Sequence, residues 1–216
     1  MEGLKRLRFL TSHPRNAVPQ LFEAMRDLPT ACEQLHLPVQ AGHDAMLRRM
    51  RRLYTVEEYR EKIQSARATV GRRMSLSTDI IVGFCGESDT EFDATEQVMR
   101  ELRFDTVHLA AYSPRPGTAA ARRPDDIPLG EKKRRLNHLL EVQRTIAADI
   151  NAAYVGTQVE VLVEGAAADG RVYGRTRENK VAWLPPGAAL AGDVVQAIVH
   201  DASAWQLHAR PVTLAA

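Results

Sequence analysis

The sequence predicts an α/β domain built on parallel strands, followed by a small all-β barrel. Three observations predict it. Up to about residue 112, short apolar runs alternate with segments whose apolar residues recur at helical spacing. These strands lie roughly 15–35 residues apart with a helix after each, which requires right-handed crossovers and a parallel sheet. After Gly156 the apolar period switches to two, in short runs divided by Gly, Pro and Asp.

The elements follow in order. RLRFLTS, Arg6–Ser12, is the first strand candidate, and Val18–Leu28 is a helix with Leu21, Phe22, Met25 and Leu28 on one face. QLHLPV, Gln34–Val39, is the second strand. The basic helix DAMLRRMRRL comes next, with Met46, Leu47, Met50 and Leu53 turned inward. Thr55 and Glu58 form a capping box, opening a helix that repeats Tyr59, Ile63, Ala66 and Val70. SLSTDIIVGF is the third strand, and a second box, Ser88 and Glu91, opens the helix carrying Phe92, Met99 and Leu102. TVHLAAY, Thr106–Tyr112, is the fourth. Four such units make about half of a closed barrel with both sheet edges open. That points to a fragment, and to marginal solubility or a partner.

Tyr112–Lys133 is a Pro/Gly-rich charged connector, long enough to be functional. A helix from about Glu131 to Ala153 places Leu136, Leu139, Leu140, Ile146, Ala147 and Ile150 on one face. Its basic start, KKRR, opposes the helix dipole and reads as a solvated face. The domain boundary falls near Ala153–Gly156. TQVEVLVEG, RVYGRT, VAWL and DVVQAIV then read as barrel strands.

The composition, 44% hydrophobic and 26% charged, is that of an ordinary globular protein. A net charge of +2 does not itself argue for nucleic acid, so any basic patch is local. No apolar run approaches the roughly 18 residues that cross a bilayer, and MEGLKRLRFLTS lacks a signal peptide's apolar core. The expected compartment is the cytoplasm, with no membrane partner. Cys32 and Cys85 lie 53 positions apart with no C-x-x-C spacing and read as small buried hydrophobes. His13 and His36 have no second ligand at suitable spacing and read as hydrogen-bonded structural histidines.

LHLPVQAG (35–42), STDIIVGFCGES (77–88) and YSPRPGTAAA (112–121), in this order, resemble the second half of a radical-SAM methylthiotransferase. The terminal VGTQVEVLVEG and GRTRENK resemble the TRAM domain of that family. RFLTSHP, YSPRPGT and GRTRENK are most similar to the branch that adds a methylthio group to isopentenyladenosine beside the tRNA anticodon. The branch acting on a ribosomal protein, and a non-catalytic RNA-binding protein, are the alternatives. The resemblance implies that residues 1–153 are the C-terminal half of a radical-SAM partial barrel with a connecting helix. It implies that residues 154–212 are an RNA-binding, OB-like TRAM barrel. It also implies tRNA as partner, and S-adenosylmethionine with 4Fe–4S clusters as cofactors of the full-length family. In the intact family a deoxyadenosyl radical draws hydrogen from the adenine ring, before sulfur insertion and methylation. The cluster-binding cysteines of the family are missing here, so the chain alone is expected to be inactive. A missing N-terminal half bearing the clusters is the implied partner.

Within that frame, Gln40, Gly42, Asp79, Gly83 and Glu87 are the candidate S-adenosylmethionine residues. Gln40 would reach a ribose hydroxyl or cap the following helix. Gly42 and Gly83 would keep the backbone close to the cofactor. Asp79 would meet the cofactor or cap a strand edge, and Glu87 would meet it or face a helix N-terminus. Ala41 and Cys85 stand where many relatives have Ser and Pro. For RNA, Arg171, Tyr173, Arg175 and Arg177 share strand parity, joined by Lys180 and by Arg115 in the connector. Guanidinium groups pair with phosphates and an aromatic ring stacks on a base. From Val155 onward six acidic residues balance five basic ones, so this cluster is a local patch, or one polar face of a barrel.

Overall fold

The computed structural model describes residues 3–10, 13–71 and 73–212. The α/β part runs α1 (Pro19–Asp27), β1 (Gln34–His36), α2 (Asp44–Arg49), α3 (Val56–Val70), β2 (Ser75–Val82), α4 (Asp89–Leu102), β3 (Thr106–Ala111) and α5 (Leu129–Ala152). The barrel runs β4 (Gln158–Ala166), β5 (Val172–Thr176), β6 (Val181–Leu184), β7 (Val194–Ala202) and β8 (Gln206–Pro211). Strands β1, β2 and β3 pair in parallel in that order, while the other five close in the order β4-β5-β6-β8-β7.

Both capping boxes form as expected, Thr55 with Glu58 and Ser88 with Glu91. Each satisfies two backbone N–H groups that a helix start leaves open. Tyr59, Ile63, Ala66 and Val70 are buried from α3, and Phe92, Met99 and Leu102 from α4. Thr78, Ile80 and Val82 point from β2 into this core, while Ser77, Asp79 and Ile81 point to the other, inner face of the sheet.

Four sequence expectations are corrected. Among the described residues the sheet has three strands, not four. Of the first strand candidate, only Leu7 makes an isolated bridge, to Ala31, and Thr11 and Ser12 lie outside the described residues. Its arginines are drawn to the barrel instead. Leu53 lies beyond α2 and is exposed rather than inward. KKRR is solvated only in part, because Lys133 and Arg134 are exposed while Lys132 and Arg135 are buried. Arg135 bonds Glu87, Asp89 and Glu131, and Lys132 pairs with Asp125 and donates to the Tyr112 carbonyl at 3.2 Å. Finally, β8 belongs to the barrel but was not expected. The two cysteines are buried and free, as expected. Among the described residues no helix is long and apolar enough to cross a membrane.

The barrel is held against the α/β part by cations placed on buried acceptors. Arg6 donates to the carbonyls of Arg175 (2.6 Å) and Glu160 (3.0 Å) and to the Glu160 carboxylate (2.9 Å). Arg8 donates to the Thr176 carbonyl at 2.7 Å. Arg177 forks onto the Glu33 carboxylate at 2.8 and 2.9 Å and reaches the carbonyls of Pro29 and Ala31. Lys180 pairs with Asp105 at 2.5 Å. Asn151, near the end of α5, donates to the carbonyls of Ser203 and Ala204.

Candidate functional site

A cavity of about 720 Å³ opens where the parallel strands end, the position at which such sheets hold small ligands. Its walls are Ile80, Ile81, Leu109, Phe84 and Tyr112, and its polar groups include Gln40 and Asp79. Arg49, Arg51, Arg52, Arg115 and Arg123 also line it, against Asp79 as the one carboxylate in the lining. That charge balance favours an anionic group. Gln40 and Arg51 both hold a left-handed backbone, at φ 73° and 57°. For residues other than glycine such a backbone costs about 1–3 kcal/mol and concentrates at functional sites. Gln40 is locked there because its N–H donates to the Asp79 carbonyl (2.9 Å) and its carbonyl accepts from the Ile81 N–H (3.0 Å).

The other three candidates of the cofactor set sit behind this cavity rather than in its wall. A Cβ on Gly42 would lie 2.5 Å from the Ala94 carbonyl and from Thr95 Cα. The glycine therefore admits α4, and its N–H donates to Thr95 Oγ1 at 2.9 Å. Gly42→Ala is expected to cost about 1–3 kcal/mol by forcing α4 outward, read as a lower urea midpoint with unchanged slope. Gly83, at φ 67°, lets the Lys132 stem pass, and a Cβ there would meet Lys132 Cγ at 2.4 Å. The Glu87 carboxylate accepts from the Gly83 N–H (2.6 Å) and from Arg135 (2.8 Å). Burial pushes the Glu87 carboxyl above its ordinary range, and these two bonds pull it partly back. The close approaches of Gly42 and Gly83 are thus to protein atoms, and they shape the cavity indirectly.

On the barrel, parity places Tyr173 and Arg175 outward from β5, with Val172, Gly174 and Thr176 inward. Tyr173 is the register partner of Trp183, and Trp183 of His208, so three rings cross β5, β6 and β8 on the outer surface. The Tyr173 and Trp183 rings lie 5.6 Å apart. The Arg171 guanidinium, held by Asp169 at 2.6 Å, lies over the Trp183 ring at 4.6 Å. A Cβ on Gly165 would meet the Tyr173 hydroxyl at 2.8 Å, so the bulge in β4 leaves that ring its place.

Two residues of the expected RNA set are absent from this face. Arg177 lies past the end of β5 and Lys180 is buried, and both serve the docking contacts with Glu33 and Asp105. A guanidinium already holding a buried carboxylate has no free fork for a phosphate. Arg175 is shared with Glu164 and Asn179, and Arg115 lines the cavity. Trp183 and His208 went unnoticed in the sequence, although VAWL and QLH each carry the ring at an outward position of a period-two run.

Residues 1–99 match the Radical SAM superfamily, and residues 152–212 match the TRAM domain. A solved structure titled "Coproporphyrinogen III oxidase (HemN) from Escherichia coli is a Radical SAM enzyme" shares the fold, at a TM-score of 0.54 over 64% of this chain and 32% of that one. Its 20% identity carries the fold alone. Curated relatives named tRNA-2-methylthio-N(6)-dimethylallyladenosine synthase are much closer. The Dehalococcoides mccartyi (strain 195) protein is 44% identical over 98% of this chain and 50% of its own length. The Moorella thermoacetica protein is 42% identical over 96% of this chain and 47% of its own. The chain therefore spans about half the length of the curated relatives it matches.

Fit to the superfamily's cofactors is uneven. An iron–sulfur cluster needs several thiolates at one point, and this chain has two cysteines, both buried. Its residues do not fit a cluster, and no radical step is assigned to them. The cavity would accommodate S-adenosylmethionine in volume, apolar walls and hydrogen-bonding groups, with its arginines suited to the cofactor's carboxylate alone. When bound, that cofactor supplies a methyl or adenosyl group.

Proposed function

We propose that this chain is part of a tRNA methylthiotransferase, one that adds a methylthio group to isopentenyladenosine next to the anticodon. The observation carrying this reading is the 44% identity, over nearly the whole chain, to a relative named for that modification. In this reading residues 1–153 contribute part of the S-adenosylmethionine pocket and residues 154–212 grip the tRNA. Gln40 and Asp79 offer hydrogen bonds inside the cavity, while Gly42, Gly83 and Glu87 hold the strand ends that frame it. The arginines at its mouth, Arg115 among them, suit the cofactor's carboxylate or a tRNA phosphate. On the barrel, Arg171 and Arg175 meet phosphates while Tyr173 and Trp183 offer stacking surfaces to unpaired bases. A base must be unstacked for any chemistry on its ring, and aromatic platforms stabilise bases in that state. Arg177 and Lys180 hold the barrel in position and do not touch RNA.

The presence of only two cysteines supports a second reading, a chain that binds RNA without catalysis of its own. Both readings require the barrel face to bind. Fluorescence anisotropy with a labelled anticodon stem–loop tests this. Arg171→Ala combined with Trp183→Ala is expected to weaken binding about tenfold or more, since one base–aromatic stack contributes about 1–3 kcal/mol. Affinity should also fall with added salt. Unchanged affinity in the double variant would remove the barrel face from the RNA interface.

A further inference from the structure

We propose that His36, Asp79 and His108 form a site for a divalent transition metal of the zinc class on the inner face of the sheet. The three residues come from the three neighbouring strands, and Asp79 and His108 are register partners. Their ligand atoms all lie within 4.8 Å of one another. His36 Nε2 stands 3.4 Å from Asp79 Oδ1, and the two imidazole rings are 5.6 Å apart. His36 Nδ1 is bonded to Ser77 Oγ at 2.9 Å, which orients the ring and leaves Nε2 for the cluster. Two imidazoles and one carboxylate are a donor set that zinc-class ions accept with a coordination position left open. Bonds of about 2.0–2.1 Å ask the donors to draw together slightly, and exposed His108 has the freedom to do so. The three residues lie between two ligand-sized cavities. Asp79 and His108 line the 720 Å³ cavity, and His36 and His108 line a second of about 380 Å³ beneath the barrel. The set contains no thiolate, so it is distinct from any iron–sulfur site, and it stands independently of the tRNA reading.

The test is a Co(II) titration of the untagged, chelator-stripped chain, followed by Zn(II) displacement. A single equivalent of Co(II) is expected to give visible d–d absorption that Zn(II) abolishes. His108→Ala, at an exposed position that leaves the fold intact by circular dichroism, should remove that absorption, and Asp79→Asn should do the same. Ser77→Ala should weaken binding about 10- to 100-fold through loss of the ring's orientation. Absence of one-to-one binding would overturn the proposal. So would a His108→Ala protein that binds like the parent, since the ion would then sit elsewhere.

Discussion

Arg135→Ala is expected to lower stability by about 3–5 kcal/mol, the usual consequence of stranding a buried partner. Arg135 is 4% exposed and Glu87 3%, and the guanidinium bonds the Glu87 carboxylate (2.8 Å) and the Glu87 carbonyl (3.0 Å). Its other two branches reach Asp89 and Glu131, each at 2.7 Å. Removing it leaves a carboxylate inside the protein with the Gly83 N–H as its one remaining hydrogen-bond donor among the described residues. The Glu87 proton would then be held to a higher pH, because desolvation already pushes that carboxyl up and Arg135 is the main restraint. A paired replacement, Arg135→Met with Glu87→Leu, is expected to recover much of the loss, because apolar residues of similar volume often substitute for a buried ion pair without penalty. Urea unfolding of the two singles and the double closes the cycle. A loss under about 1 kcal/mol for Arg135→Ala would mean that the pair is solvated, contrary to the structure.

Arg177→Ala is the second large effect, expected at about 3 kcal/mol and localised to the docking of the barrel. Arg177 offers two parallel bonds to Glu33, which is 4% exposed, and two more to the Pro29 and Ala31 carbonyls. Without it the buried Glu33 carboxylate loses its two-pronged guanidinium partner. The expected readout is faster proteolysis between α5 and β4 and a melt that separates into two steps. Arg177→Lys keeps the charge but not the planar fork, and it should restore less than half of the loss. If Arg177→Ala melts like the parent yet loses RNA affinity, this residue belongs to the RNA face after all.

These two arginines also show where the sequence was legible and where it was not. Capping boxes are local, so Thr55 with Glu58 and Ser88 with Glu91 could be read three residues apart. Apolar periodicity located α3, α4 and β2 because one face of each is buried. The buried carboxylates held by Arg135 and Arg177, Glu87 and Glu33, lie 48 and 144 positions away, and no local pattern distinguishes such an arginine from a solvated one. The RFL segment failed as a strand for a related reason. Its outward arginines, Arg6 and Arg8, find acceptors on a barrel encoded about 150–170 residues later. At the candidate site, strand-end position flagged Gln40 and the family resemblance flagged Asp79, but glycine freedom alone could not say whether Gly42 and Gly83 make room for a ligand or for a helix. His36 looked solitary because its companions are supplied by strand pairing, not by spacing.

The central claim concerns the modification itself, and it is tested most directly on cellular tRNA. The gene carrying this sequence should be deleted and the modified nucleosides of bulk tRNA measured by mass spectrometry. Loss of 2-methylthio-isopentenyladenosine with accumulation of its isopentenyladenosine precursor, and restoration on complementation, is the expected result. Retention of the methylthio nucleoside at its original level would contradict it.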